Sequence, residues 1–246
     1  MLSMKKIKKF FLDTLFPVSC ISCGKNDVWL CRDCIKTIKL NHKQLCPICE
    51  KLQSINGETC HKCQGKNSLD GLLVCTDYRE NKILKKAIHL YKYRFVKDIF
   101  KPLGKIMHKK LAYSSLPIPD IIIPVPLHSK RLRWRGFNQC ELLARYISMH
   151  LTPGMEIPLY CDVLLRKKHT NPQMSIKNYQ ERKANLQNAF EVSKNNQILK
   201  GKNILLVDDI STTGSTLFEC AKTLKKRNAK KVFAIVLARP KPKKSS

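Results

Sequence analysis

"NILLVDDISTTGST", residues 203 to 216, sets two adjacent carboxylates at the end of an apolar run and follows them with hydroxyl residues around one glycine. An unbroken apolar run of this length reads as a strand buried on both faces. The hydroxyl-rich turn then opens a helix, whose unpaired N-terminal N–H groups and dipole favour an anion. Gly214 lets the backbone close around a phosphate, while Ser211, Thr212, Thr213, Ser215 and Thr216 add donors. Asp208 and Asp209 would repel a phosphate, so they must engage something else. A sugar diol offers two hydroxyl donors to two carboxylates, and a metal ion is the competing partner. The combination describes a ribose 5-phosphate, with its ring hydroxyls on the acids and its phosphate in the turn. The plain alternative is a strand, turn and helix with polar caps, but a cap needs one such residue rather than a whole run.

On the N-terminal side of this stretch, strands and helices alternate. "GLLVCTDY" (71–78) reads as a strand, and "NKILKKAIHLYKY" (81–93) as an amphipathic helix with Ile83, Leu84, Ala87, Ile88 and Tyr91 on one stripe. "DIIIPVP" (120–126) is a buried strand; a basic loop and the helix "NQCELLARYISMHL" (138–151) follow, then a short strand in "DVLLR" (162–166). A helix from about Ser215 to Arg227, with Leu217, Ala221 and Leu224 inward, leads to the strand "VFAIVLA" (232–238). Apolar strands alternating with helices imply an α/β fold, a parallel sheet flanked by helices on both faces. In such sheets ligands bind beyond the carboxyl ends of the strands, where Asp208 and Asp209 fall.

Of twelve cysteines, eight form four C-x-x-C pairs in the first quarter of the chain: Cys20 with Cys23, Cys31 with Cys34, Cys46 with Cys49, and Cys60 with Cys63. Two thiolates at that spacing reach one zinc at about 2.3 Å, and a second pair completes a tetrahedron. Four pairs make two Cys₄ sites in a small zinc-ribbon module. Sequential pairing puts the first four cysteines on one ion and the last four on the other; a cross-braced arrangement stays open. With no open coordination position such sites are structural. A thioredoxin-like dithiol would want a single pair at a helix start. His42 and His61 are unnecessary once four thiolates are counted, and Cys75, Cys140, Cys161 and Cys220 read as buried core residues.

Lys and Arg total 47 against 18 Asp and Glu, a formal charge of +29. That excess favours polyanions through counterion release, although a lysine-rich solvated surface would show the same balance. No apolar run approaches the roughly 20 residues that span a bilayer. The first residues, 1–16, read as an amphipathic helix rather than a signal peptide, because Asp13 interrupts a short apolar stretch and no small-x-small pattern follows. A cytoplasmic protein is expected. The divisions are a helix over 1–16, a double zinc ribbon over 17–67, an α/β domain over 68–240 and a basic disordered tail over 241–246.

"ILLVDDISTTGST" resembles the phosphoribosyl-pyrophosphate motif of type I phosphoribosyltransferases. "IPVPLHSKRLRWRGFNQCELLA" (123–144) resembles the P-x-P-L…R-x-x-x-R-G-F-N-Q signature of the competence protein ComF family. The four C-x-x-C pairs, "YKYR" (91–94) and "TNPQMSIKNYQERKANLQNAF" (170–190) match that family's layout. The resemblance implies a type I phosphoribosyltransferase-like sheet behind a double zinc ribbon. It implies ribose hydroxyls on Asp208 and Asp209, the 5-phosphate on Ser211 to Thr216, and pyrophosphate near His128 and Ser129. Arg131 and Arg135 are then implied as catalytic or phosphate-binding donors, though on so basic a chain they also read as a solvated loop. Lys92 and Arg94 are ambiguous, Asn138 and Gln139 read as helix caps, and Arg166, Gln173, Arg182 and Asn185 are candidate contacts of a closing segment over Lys167 to Asn185, which reads equally as a surface helix with a loop.

The implied partners are phosphoribosyl pyrophosphate or a related sugar phosphate with Mg²⁺, single-stranded DNA, and a helicase-like protein acting in DNA uptake. The alternative is an active transferase that moves phosphoribose to an unknown acceptor. Thr212 stands where purine-salvage members carry an extra acid, and no segment reads as a nucleobase hood.

Overall fold

The computed structural model describes residues 17–54, 56–168, 186–193 and 197–240. The expected helix over 1–16, the tail over 241–246, and Gln173, Arg182 and Asn185 lie outside them. The main sheet has four parallel strands in the order β3 (Gly71–Asp77), β8 (Lys231–Arg239), β7 (Asn203–Ile210) and β4 (Ile121–Pro124). Its central strands alternate between two faces, as a period of two requires. Leu205, Val207, Ile235 and Leu237 point into one core, while Ile204, Leu206, Val232 and Val236 point into the other.

The first face is covered by α2 (Lys82–Tyr93), α3 (Phe100–Ala112) and α5 (Gln139–His150). The second is covered by α6 (Ser215–Lys225) and by an antiparallel pair, β5 (Leu164–Arg166) with β6 (Phe190–Val192). Both faces of the sheet are therefore buried, as its sequence requires. The strand expected in "DVLLR" forms, but in this separate pair rather than in the main sheet. The expected basic loop after β4 is instead a short helix, α4 (Ser129–Arg135), with no buried residue; it lacks the apolar stripe by which a helix is read from sequence. Strand β8 runs to Arg239, within the expected 68–240 domain.

The cysteine-rich module carries α1 (Arg32–Lys36) and the hairpin β1 (Gln44–Leu45) with β2 (Gln53–Ser54). It lies along the open edge of β3. The buried Gln44 side chain accepts from Val74 N at 2.8 Å and donates to its carbonyl at 3.2 Å, and Asn41 N donates to Cys75 O. Covering the edge in this way removes a row of unpaired backbone groups. Leu30, Cys34 and Ile38 join the same core as α2 and α3, so the module shares the main domain's interior.

Candidate functional site

Strands β4 and β7 are neighbours, and their carboxyl ends open into a cavity of about 360 Å³. Its walls come from the end of α2, the segment after β4 with α4, the first turn of α5, β5, and the turn between β7 and α6. Asp208, Asp209, Ser211, Thr212, Gly214, Ser215, Thr216, Arg131 and Arg135 all line it, although they come from two distant parts of the sequence.

The two acids differ in their surroundings. Asp209 is buried and its carboxylate takes a 2.7 Å ion pair from Lys92 Nζ and a 2.6 Å hydrogen bond from Ile210 N. Asp208 accepts from Asp209 N at 2.8 Å and from the Cys140 thiol at 3.2 Å. Burial, reinforced by the neighbouring Asp209 charge, raises the Asp208 carboxyl to about 6, with Lys92 and the two hydrogen bonds pulling the other way. Burial opposes the Lys92 ammonium as well, but Asp209 more than offsets it and pushes that group up. The Cys140 thiol is pushed well above its ordinary value by burial and by the acids, so it holds its proton and donates it. Cys140 therefore stands with the acids as a hydrogen-bond donor, within 4.8 Å of both, and the group is a poor soft-metal site.

The turn fits an anion. Gly214 adopts φ +82 as the residue preceding α6, and a Cβ there would meet the Phe218 ring at 2.8 Å. Gly214 supplies no capping side chain, Ser215 N donates to the Thr213 hydroxyl at 3.4 Å, and the start of the helix opens on the cavity. The Ser211 hydroxyl is buried with no partner among the described residues. Thr213 turns away from the lining and pairs with the Ser215 hydroxyl at 2.9 Å. The Thr212 carbonyl accepts from Arg239 Nε at 3.2 Å, and Arg239 also pairs with Glu50 of the cysteine-rich module.

Arg131 and Arg135 lie one turn apart on α4 and face Arg166 at the end of β5 across the cavity. Burial lowers Arg131, with Arg135 adding repulsion, and burial lowers Arg166, with Arg131 adding the same. With Lys92, four cations face two carboxylates, a balance that suits a multiply charged anion.

His128 and Ser129 are not part of the lining; His128 caps α4 through its Nδ1, which accepts from Lys130 N at 3.2 Å. Asn138 caps α5, accepting from Cys140 N, as expected. Gln139 does not cap: it is fully buried in the cavity wall, and neither side-chain amide atom has a partner among the described residues. Arg94 is absent from the lining, whereas Lys92 reaches the acids. Cys140, read as core, is a site residue, and Cys161 is only half-buried. The start of a helix directly after the strand-end loop is the signal that could have found Gln139 and Cys140, because first-turn side chains point at the strand tips.

The module's cysteines gather into Cys20, Cys23, Cys31 and Cys34, and separately Cys46, Cys49, Cys60 and Cys63, the sequential pairing. Sγ atoms of Cys23 and Cys31 are 3.7 Å apart and those of Cys49 and Cys60 3.8 Å. A tetrahedron with about 2.3 Å zinc–sulfur bonds needs about 3.8 Å between sulfurs. Backbone N–H groups of Cys31 and Cys60 point at Cys20 and Cys46 sulfurs at 3.4 and 3.5 Å, as outer-shell donors to thiolates do. Donor set and spacing fit structural zinc at both places.

Residues 11–64 match the double zinc ribbon domain and residues 138–245 the phosphoribosyl transferase domain. The chain is 30% identical to competence protein F of Haemophilus influenzae, over 91% of this chain and 98% of that one. It is 28% identical to the DNA utilization protein YhgH of Shigella flexneri, covering 86% of this chain and 96% of that one. It is 29% identical to competence protein ComFC of Bacillus subtilis, covering 87% and 86%. The similarity runs along nearly the full length of these relatives, and the chain belongs to the competence protein F (ComF) family.

Proposed function

We propose that this protein binds phosphoribosyl pyrophosphate or a related sugar phosphate in the cavity between β4 and β7, and uses that binding while handling single-stranded DNA during uptake. The observation that carries the reading is one cavity holding the acid pair, the hydroxyl-rich turn and four cations together. Asp208 and Asp209 receive the ribose hydroxyls, with Lys92 neutralising one acid so that a nearby phosphate is tolerated. Ser211, Thr212, Ser215, Thr216 and the first-turn N–H groups of α6 hold the 5-phosphate, and Thr213 orders Ser215. Arg131, Arg135 and Arg166 take the pyrophosphate oxygens with planar, permanently charged donors. Magnesium accompanying the pyrophosphate would screen its charge.

Relatives named for competence and DNA utilization support the DNA role, as does the formal charge of +29. Such work belongs in the cytoplasm, beside a helicase-like partner. Among the described residues no helix is long and apolar enough to cross a membrane. Thr212, standing where purine-salvage relatives carry an acid, supports binding over group transfer.

The test is thermal stabilisation by phosphoribosyl pyrophosphate, ribose 5-phosphate and 2-deoxyribose 5-phosphate with magnesium. The expected result is a raised midpoint with both ribose compounds and little with the deoxy sugar, which lacks half of the diol. Equal stabilisation by the deoxy sugar, or none by any of the three, removes the reading.

A further inference from the structure

Beside the cavity mouth stands a feature that sugar-phosphate binding does not use. Trp134, 60% exposed, and Tyr93, 47% exposed, line the rim, and Phe95, 38% exposed, meets Trp134 edge to face at 5.1 Å and 81°. Large aromatic side chains left this open, two of them in contact with one another, call for a partner.

Phe95 also sits at φ +55, the left-handed position that ends α2, where glycine is the usual residue. An aromatic residue there strains the backbone. The fold therefore keeps a ring where a hydrogen would be easier, and that ring braces Trp134. The Arg135 guanidinium lies 5.8 Å from the Trp134 ring centre, and Arg94 and Arg133 are exposed on the adjoining elements. Flat apolar faces set among fixed cations are what a single-stranded polynucleotide needs: stacking for its bases and charge for its phosphates.

We propose that Tyr93, Phe95 and Trp134 form a base-stacking shelf at the rim of the cavity, and that its occupant is single-stranded nucleic acid. The shelf rests on the DNA-handling reading above and gives it a location. Charge decides for a strand over a free nucleobase, because a neutral base would draw nothing from the arginines around the shelf.

The experiment measures binding of a short fluorescein-labelled oligothymidylate at low salt to the full-length zinc-loaded protein. Its arms are the wild type, Trp134→Ala, Phe95→Gly and Phe95→Tyr, with an oligomer of the same phosphates carrying abasic sugars alongside. Stacking contributes about 1–3 kcal/mol per base, so Trp134→Ala and Phe95→Gly should each weaken binding about 5- to 150-fold. The abasic oligomer should bind the wild type with a similar deficit, and Phe95→Tyr should keep the wild-type affinity. Phe95→Gly suits its φ, so circular dichroism should show it folded, and its affinity for phosphoribosyl pyrophosphate should be unchanged. Wild-type binding that both ring-removing variants retain, or that the abasic oligomer matches, overturns the shelf and leaves DNA handling standing. Thymidine competing as well as the oligomer overturns the assignment to a strand. No oligonucleotide binding by the wild type removes both readings, whatever the outcome with sugar phosphates.

Discussion

At the scale of single residues, Asp208 ties stability to binding. Its carboxyl rises from an ordinary 3.8 to about 6 in the fold. Between those values the folded chain holds a proton that the unfolded chain has lost, so stability falls as pH rises through this window. Above about 6 the full penalty is present, on the order of 1–3 kcal/mol once partial solvent access is allowed for. Asp208→Asn should therefore raise the unfolding midpoint at pH 7.5 and leave it nearly unchanged at pH 4, while abolishing sugar-phosphate binding. Calorimetric scans at the two pH values, with and without ligand, measure both effects. A midpoint lowered at pH 7.5 would contradict the account of a buried, desolvated acid.

Gly214 makes a second case at this scale. A Cβ at φ +82 would be strained and would press on the Phe218 ring, so Gly214→Ala should cost about 1–3 kcal/mol and distort the phosphate turn. Chemical denaturation reads the loss. A variant as stable as the wild type, with intact phosphate affinity, would show that the turn does not need its glycine.

Among elements, α3 and α5 approach closely at Gly104, where a Cβ would lie 2.4 Å from Cγ of Tyr146. Gly104→Ala should destabilise the chain by about 1–3 kcal/mol despite alanine's better helix propensity, because overpacking outweighs it. Urea midpoints decide it, and a stabilised variant would mean that the helices slide apart freely.

The elements also show where sequence reading succeeds and where it stops. Strand β7 with its turn was legible because a buried parallel strand is continuously apolar and a polar run at its end has no packing reason to be there. The cysteine pairs were legible because their spacing is itself the ligand geometry. Helix α4 was not, since "SKRLRWR" presents no apolar stripe, and its two inward arginines were named only through the family resemblance, the residues alone reading equally as a solvated loop. Lys92 was ambiguous in sequence because its partner, Asp209, lies on another element and only the packing of α2 against the sheet joins them. Gln139 and Cys140 were hidden by the same dependence on tertiary contact.

Across the whole molecule, the cysteine-rich module and the phosphate turn are joined. Glu50, next to Cys49, pairs with Arg239, and Arg239 holds the Thr212 carbonyl. The first cysteine group instead packs into the core beneath α2 and α3. Losing either zinc should lower the unfolding midpoint, since structural zinc contributes folding free energy. Losing the second, by Cys46→Ser, should weaken sugar-phosphate affinity more than losing the first, by Cys20→Ser. Metal content by mass spectrometry and affinity measured below both midpoints test this, and equal affinities would show that the Glu50–Arg239–Thr212 chain carries nothing to the turn.

The most direct measurement is a calorimetric titration of phosphoribosyl pyrophosphate with magnesium into the wild type and into Asp208→Asn with Asp209→Asn. Saturable one-site binding in the wild type, and none in the folded double variant, is the predicted result. Equal binding by both would contradict the claim that the paired acids and the turn after them cradle a phosphorylated pentose.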